Sequence, residues 1–126
     1  MIIPNELKYT NTHEWIRVDN DIGIIGITDY AQRELSDIVY VELPEVNKVV
    51  NQGDVLGTIE AVKAVSDFYS PVSGTVMEVN SELKSAPELV NKEPYVKGWM
   101  VKIKITNPQE LDSLLNAEQY RKTISG

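Results

Sequence analysis

The chain has 126 residues, with 19 acidic against 12 basic side chains and a formal net charge of −7. That length suits one compact domain, residues 1–126, and is too short for a catalytic domain joined to a carrier domain. The acidic balance repels phosphate backbones and argues against nucleic-acid binding, while the absence of cysteine excludes disulfides, thiol nucleophiles and cysteine metal clusters.

Taken in chain order, Met1-Ile2-Ile3-Pro4-Asn5-Glu6 has neither a basic segment nor a sustained apolar run, and no stretch is long enough to span a bilayer. A soluble bacterial cytoplasmic protein is expected, although a processed mitochondrial protein reads the same way. His13 is the only histidine, so no structural metal is expected. Trp15-Ile16-Arg17-Val18, the turn Asp19-Asn20-Asp21 and the apolar run from Ile22 to Ile27 predict a hairpin. Asp29 is expected to cap a short helix from Tyr30 to Leu35, with Gln32 completing a capping pair. A strand follows from Asp37 to Leu43, ended by Pro44, which cannot donate to a ladder.

The stretch from Gly53 to Gly74 is the most distinctive. Val55-Leu56-Gly57-Thr58-Ile59 precedes Lys63, and Pro71-Val72-Ser73-Gly74-Thr75-Val76 follows it, so two β-like segments present one lysine on a hairpin tip. An exposed lysine is ordinarily a solvated charge. Here the flanks are nearly symmetric, and the small Ala61 and Ala64 leave its amine accessible. Thr75 to Val79 continues the sheet, Asn80-Ser81 closes it, and Pro87-Glu88-Leu89-Val90-Asn91 predicts one helical turn. Trp99 to Ile105 predicts a strand with Trp99, Val101, Ile103 and Ile105 on one face against Met100, Lys102 and Lys104. Asn107-Pro108 reads as cap and first position of a helix bearing Leu111, Leu114 and Leu115, with a further helix from Ala117 to about Thr123. Many short strands imply a mainly β chain, a β-sandwich or flattened barrel with helices mostly at the C-terminal end.

No nucleophile, base and orienting group stand together in a pattern that suggests hydrolysis. His13 is expected to be a strand-entry residue whose imidazole bonds the backbone. The chain therefore reads as a non-catalytic protein.

The Lys63 hairpin resembles the attachment site of lipoyl and biotinyl carrier domains. Biotin carriers place methionine on both sides of the lysine, whereas Val62 and Ala64 stand here, with Glu60 upstream, which favours lipoate. Lys8-Tyr9-Thr10, Thr12-His13-Glu14-Trp15, Gly26 to Gln32, Val41-Glu42-Leu43-Pro44, Ser70 to Gly74 and Gly98-Trp99-Met100-Val101-Lys102 are similar to the glycine cleavage system H protein family. The resemblance implies a barrel-sandwich hybrid of two antiparallel sheets, whose two similar halves meet at the hairpin. The only sign of such a repeat here is Gly53 to Ile59 set against Pro71 to Val76.

The resemblance also implies lipoate amide-linked to Lys63, and an arm that takes the aminomethyl group of glycine from the pyridoxal-phosphate-dependent glycine decarboxylase to the aminomethyltransferase. Dihydrolipoamide dehydrogenase and a lipoate-attaching enzyme complete the expected partners; no membrane is expected. Glu60 is a candidate for recognition by the attaching enzyme. Glu14, Asp67 and Thr12 are candidates for holding the loaded arm. Glu34 falls where some relatives carry histidine, and Ser36, where many have glycine, is expected to alter only a turn. A relay protein that donates lipoate to other complexes is the alternative reading.

Overall fold

The computed structural model describes residues 1–125; Gly126, the last residue of the expected domain, lies outside them. The strands, in chain order, are β1 (Lys8–Tyr9), β2 (Glu14–Asp19), β3 (Ile22–Ile27), β4 (Ile38–Glu42), β5 (Val49–Val50), β6 (Val55–Ala61), β7 (Val65–Tyr69), β8 (Gly74–Val79) and β9 (Val101–Ile105). They make a six-stranded sheet, β1-β2-β3-β9-β8-β5, and a three-stranded sheet, β4-β6-β7. Every pairing is antiparallel. Helices α1 (Asp29–Leu35), α2 (Leu89–Lys92) and α3 (Ala117–Ser125) are short, as are the 3-10 turns Ser81–Lys84 and Pro108–Ser113. The expected mainly β architecture is therefore the one observed.

Inward-facing side chains of both sheets make the main core: Ile16, Ile25, Val76, Val101 and Ile103 from the large sheet, and Ile38, Val41, Leu56, Ile59 and Phe68 from the small one. Each fully buried side chain of this size is worth roughly 1.5–3 kcal/mol, so this apolar layer sets how the sheets pack. A second cluster of Leu7, Tyr9, Trp15, Tyr95, Ala117 and Tyr120 joins the start of the chain to α3. The rings of Tyr9 and Tyr120 stack at 4.7 Å between centroids.

Local signals explain much of the connectivity. The β2–β3 hairpin turns through Asn20 at φ 57°, a left-handed conformation that asparagine tolerates well. The Lys63 turn joins β6 to β7, so the second arm of the lysine hairpin is Val65–Tyr69 and not the expected Pro71–Val76, which leads into β8 of the large sheet. α3 begins at a reciprocal cap in which Asn116 Oδ1 accepts from Gln119 N at 2.8 Å and Gln119 Oε1 accepts from Asn116 N at 2.9 Å.

Other expectations need correction. Thr28, not Asp29, caps α1: its hydroxyl accepts from Ala31 N at 3.2 Å. Asp29 is the first helical residue and is buried, where its carboxylate accepts from Ile2 N at 2.9 Å and Gln32 Nε2 at 2.7 Å. The strand expected from Trp99 begins at Val101. Met100 is wholly buried in the core, and Trp99 pairs with the outer residue Lys102, whose ammonium lies 4.9 Å from its ring centroid. Irregular pairing before Val101 breaks the alternation, since Met100 N donates to Ile25 O while Met100 O accepts from Asn80 N. Leu114 and Leu115 are not helical: the 3-10 turn stops at Ser113, and Leu115 exchanges two backbone hydrogen bonds with Tyr9, each 2.8 Å. Asn107 makes no side-chain cap.

The segments that suggested a repeat lie in different sheets, β6 in the small one and β8 in the large one. Gly57 and Gly74 share a constraint: a Cβ on Gly57 would collide with the carbonyl oxygen of Glu42, and one on Gly74 with that of Lys104. That added Cβ on Gly74 would also lie 2.5 Å from Ile103 Cγ2. A side chain there forces backbone apart, so Gly74→Val should lower stability by about 3 kcal/mol, whereas Lys63→Arg on its exposed turn should change it by less than about 0.5 kcal/mol. Equal urea midpoints for the two variants would contradict the close approach of β8 and β9.

Candidate functional site

The Lys63 turn is tightly made. Ala61 N donates to Ala64 O at 2.8 Å across the turn, and Val62 N donates to Asp37 O at 3.0 Å, tying the turn to the residue before β4. Lys63 is exposed and, among the described residues, takes part in no ion pair. Glu60 is exposed on β6, where it is flanked across the sheet by Tyr40 and Val65.

Thr12, Glu14 and Asp67 come together around one cavity of about 240 Å³. It opens between the β7 edge of the small sheet, α1 and the loop that precedes β2, with Ile27, Tyr30, Leu35 and Phe68 as its apolar wall. Asp67 is exposed and accepts from Thr58 Oγ1 at 3.0 Å. It lies four positions beyond Lys63, a reach of at most roughly 14 Å along extended chain.

Glu14 differs from an ordinary surface acid. It is 1% exposed, and its Oε1 accepts from the hydroxyls of Thr10 and Thr12, each at 2.5 Å. Oε2 accepts from Tyr69 N at 3.1 Å, so one carboxylate ties β2 of the large sheet to β7 of the small one. Burial pushes its carboxyl above the usual range, opposed by those hydrogen bonds.

His13 stands at the entry to β2 in a left-handed conformation, φ 73°. Its Nδ1 lies 2.9 Å from the Tyr120 hydroxyl, not against backbone as expected, and Tyr120 also bonds Thr28 Oγ1 at 2.7 Å. A buried phenol needs hydrogen-bond partners, and α3 brings this one across the whole length of the chain. Desolvation pushes the imidazole below its usual pKa, with Glu34 acting the other way. Glu34 itself lines the cavity. Ser36 sits at φ 66°, a conformation that suits glycine, and closes α1 by donating its N–H to Gln32 O at 2.9 Å.

The site thus consists of an exposed amine on a rigid turn and an acid-lined, apolar-walled cavity within chain reach of it. The glycine cleavage H-protein family model matches residues 7–126. The chain belongs to that family. A glycine cleavage system H protein of Carboxydothermus hydrogenoformans is 55% identical over 123 residues, covering 98% of this chain and 95% of that one. The corresponding protein of Staphylococcus epidermidis is 52% identical over 124 residues, 98% of each. A glycine cleavage system H protein from Mycobacterium marinum, solved by crystallography, superposes with a TM-score of 0.89 at 33% identity, covering 98% of this chain and 100% of that one.

Within this H-protein framework the sequence reading missed Tyr69 N, Thr10 and the apolar wall. Thr10 and Thr12 stand four and two residues before Glu14, close enough in sequence that a carboxylate with hydroxyl donors is a readable pattern. The Tyr69 contact joins different sheets and had no local signal. Because the folded-state pKa of Glu14 is raised, its contribution to stability is fully present below the unfolded value of 4.5 and is lost as pH rises through the folded value. Glutamine can turn its oxygen to Tyr69 N and its amide to the two hydroxyls. The unfolding free energy of wild type minus that of Glu14→Gln should therefore fall as pH is raised from about 4 to about 7. A difference that is flat or rises over that range, measured by urea titration, would mean that burial does not control this carboxyl.

Proposed function

We propose that this H-protein family member is a lipoyl carrier of the glycine cleavage system, acting as one non-catalytic domain over residues 1–126 in the bacterial cytoplasm. Lys63 is the attachment point, and the observation that carries the reading is its placement: an exposed amine, in no ion pair among the described residues, on a turn whose neighbours are hydrogen-bonded in place. In attachment the neutral Nζ attacks the carbonyl carbon of an activated acyl donor. An amide bond forms, the activating group leaves with its electron pair, and the amine proton goes to solvent or a base on the attaching enzyme. Lipoate fits the residues present, since the Lys63 amine is open to solvent and small alanines flank its turn. When bound there, its dithiolane supplies the redox-active sulfur that a cysteine-free chain lacks.

The chain's own residues bind and orient. Glycine decarboxylase, aminomethyltransferase, dihydrolipoamide dehydrogenase and a lipoate-attaching enzyme are the partners in this reading, and the aminomethyl group travels from the first to the second. Its amine is cationic at neutral pH. Asp67 at the cavity rim and Glu14 at its floor hold that cation, Thr12 orients Glu14, and the wall of Ile27, Tyr30, Leu35 and Phe68 excludes water. Glu60, outside the cavity, serves recognition by the attaching enzyme.

Intact mass spectrometry of the protein from its native source, with peptide mapping, tests the attachment. The expected mass is that of one lipoyl group, carried by the peptide containing Lys63. Lys63→Arg should abolish incorporation, because a guanidinium is a poor acyl acceptor, while leaving the melting temperature nearly unchanged. Lipoate found in that variant would disprove the site.

Glu14→Gln combined with Asp67→Asn removes both charges but keeps shape, so loss of the aminomethyl group to solvent should accelerate several-fold, about 1 kcal/mol per charge-assisted bond. Glu14 is shielded and Asp67 is exposed, so high salt should weaken protection only in part. The decay of aminomethylated protein, followed by mass spectrometry in wild type and double variant, checks both effects. Identical decay curves would leave the two acids without a role in holding the group.

A further inference from the structure

The small sheet has two free edges, and only the β7 edge borders the cavity. The outer face toward β4 carries a different surface. Tyr40, Glu60 and Val65 are direct cross-strand neighbours, and all three point outward. A bulge between Ile38 and Tyr40 turns Val39 outward beside Tyr40, and the bond from Val62 N to Asp37 O holds Val62 near the start of the same strand. Val39 is 53% exposed, Tyr40 48%, Val62 70% and Val65 66%. Four large apolar side chains in the open around one turn are more than scattered surface residues require.

The charges on this face are of one sign. Strands β4, β6 and β7 carry Glu42, Glu60 and Asp67 and no lysine or arginine, and among the described residues none of these acids forms an ion pair. On the large sheet, by contrast, Glu78 pairs with Lys102 at 3.5 Å.

We propose that Val39, Tyr40, Val62 and Val65, grouped around Glu60, form the docking surface for the enzyme that acylates Lys63, and that this enzyme meets them with apolar side chains rimmed by lysine or arginine. The inference rests on the carrier reading of Lys63 and extends it to the outward surface of the small sheet beside the Lys63 turn, none of whose four apolar side chains lines the cavity. Two arguments select this occupant. An acylating enzyme must reach Nζ itself, so its surface has to cover the residues flanking the turn, whereas an enzyme working at the far end of an arm can stand off from them. A second copy of the chain would bring two uncompensated acidic faces together, which costs energy instead of gaining it.

The test uses the full chain and a purified lipoate–protein ligase supplied with lipoate and ATP, with incorporation followed by intact mass. Tyr40→Ser and Val65→Ser should each raise KM for the carrier about five-fold or more, with kcat little changed. High salt should raise the wild-type KM by screening the acidic face. Met77→Ser, which removes an exposed apolar side chain from the large sheet, should leave KM as it is. Thermal unfolding and circular dichroism of each variant check that the fold is intact. Unchanged KM in both small-sheet variants, with wild type modified at Lys63, would overturn the docking surface alone. Loss of kcat without a KM effect, or a wild-type dimer that Tyr40→Ser dissociates, would overturn it as well. Wild type left unmodified at Lys63 would instead overturn the carrier reading on which the surface rests.

Discussion

The carboxylate of Glu14 is the contact on which the shape of the site depends. The apolar core packs one sheet on the other, but it does not by itself fix where the β7 edge stands relative to the loop before β2. Glu14 does so by accepting from Tyr69 N on one side and from Thr10 and Thr12 on the other. Burying a charged group costs several kcal/mol, and hydrogen bonds to a charged acceptor return about 1.5–3 kcal/mol each. The two effects oppose each other, and burial is the larger, since the carboxyl is pushed up by burial and only partly pulled back by its donors. An apolar side chain of similar volume could give comparable stability, so stability alone does not account for an acid at this position. The proposed role of the cavity in holding a cation does.

The loop bearing Thr12 and Glu14 is steadied from the opposite end of the chain. Tyr120 on α3 stacks on Tyr9 and shares its hydroxyl with His13 and Thr28. His13 also lies against Tyr30 of α1, with ring centroids 4.7 Å apart. The left-handed backbone at His13 is uncommon for a residue of its size, and these side-chain contacts hold it there. α3 therefore acts on the site without lining the cavity. Asn91 of α2 plays a similar part on the other flank. Its side chain accepts from Ile38 N at 3.0 Å and donates to Ser36 O at 2.8 Å and Gln32 Oε1 at 3.0 Å, locking the end of α1 to the start of β4.

Features governed by near neighbours in the chain are legible from the residues alone. The Asn20 turn, the arrest of β4 before Pro44 and the strand leading into Lys63 follow from backbone chemistry within a few residues, whereas the strand leaving it, Val65–Tyr69, is not legible, because its polar Ser66 and Asp67 hide a segment that only pairing with β6 makes a strand. Features decided by distant contacts are not. Asp29 has the composition of a cap, but the Ile2 amide makes it a buried acceptor while Thr28 takes the cap. Met100 and Trp99 exchange sides because backbone bonds to Ile25 and Asn80 interrupt the strand ahead of Val101. Leu115 leaves a helical pattern because Tyr9 offers it a bridge partner. For the site, the residue types at Thr12, Glu14 and Asp67 are legible, but the burial of Glu14 and the exposure of Asp67 are not, since both depend on how two sheets meet.

That asymmetry fits the physical demands on a carrier. The attachment point must be easy to find and hard to deform, because an enzyme that recognises a turn by shape gains nothing from a flexible one. Local bonds satisfy this demand: the Ala61–Ala64 and Val62–Asp37 contacts fix the turn whatever happens at the cavity. A holding site has the opposite requirement, because a group must stay long enough to be protected and leave when a partner arrives. One exposed acid and one buried acid supply that balance. In the proposed holding site, Asp67 would attract a cation but is screened by solvent, and Glu14 would hold more strongly at the cost of its own desolvation. Two exposed acids would protect too little, and two buried ones would raise each other's pKa until one carried a proton, leaving a single desolvated charge and no outer acid to attract the cation. The division of the pair between rim and floor is therefore a condition for reversible holding, and it is set by the register in which β7 meets the loop before β2.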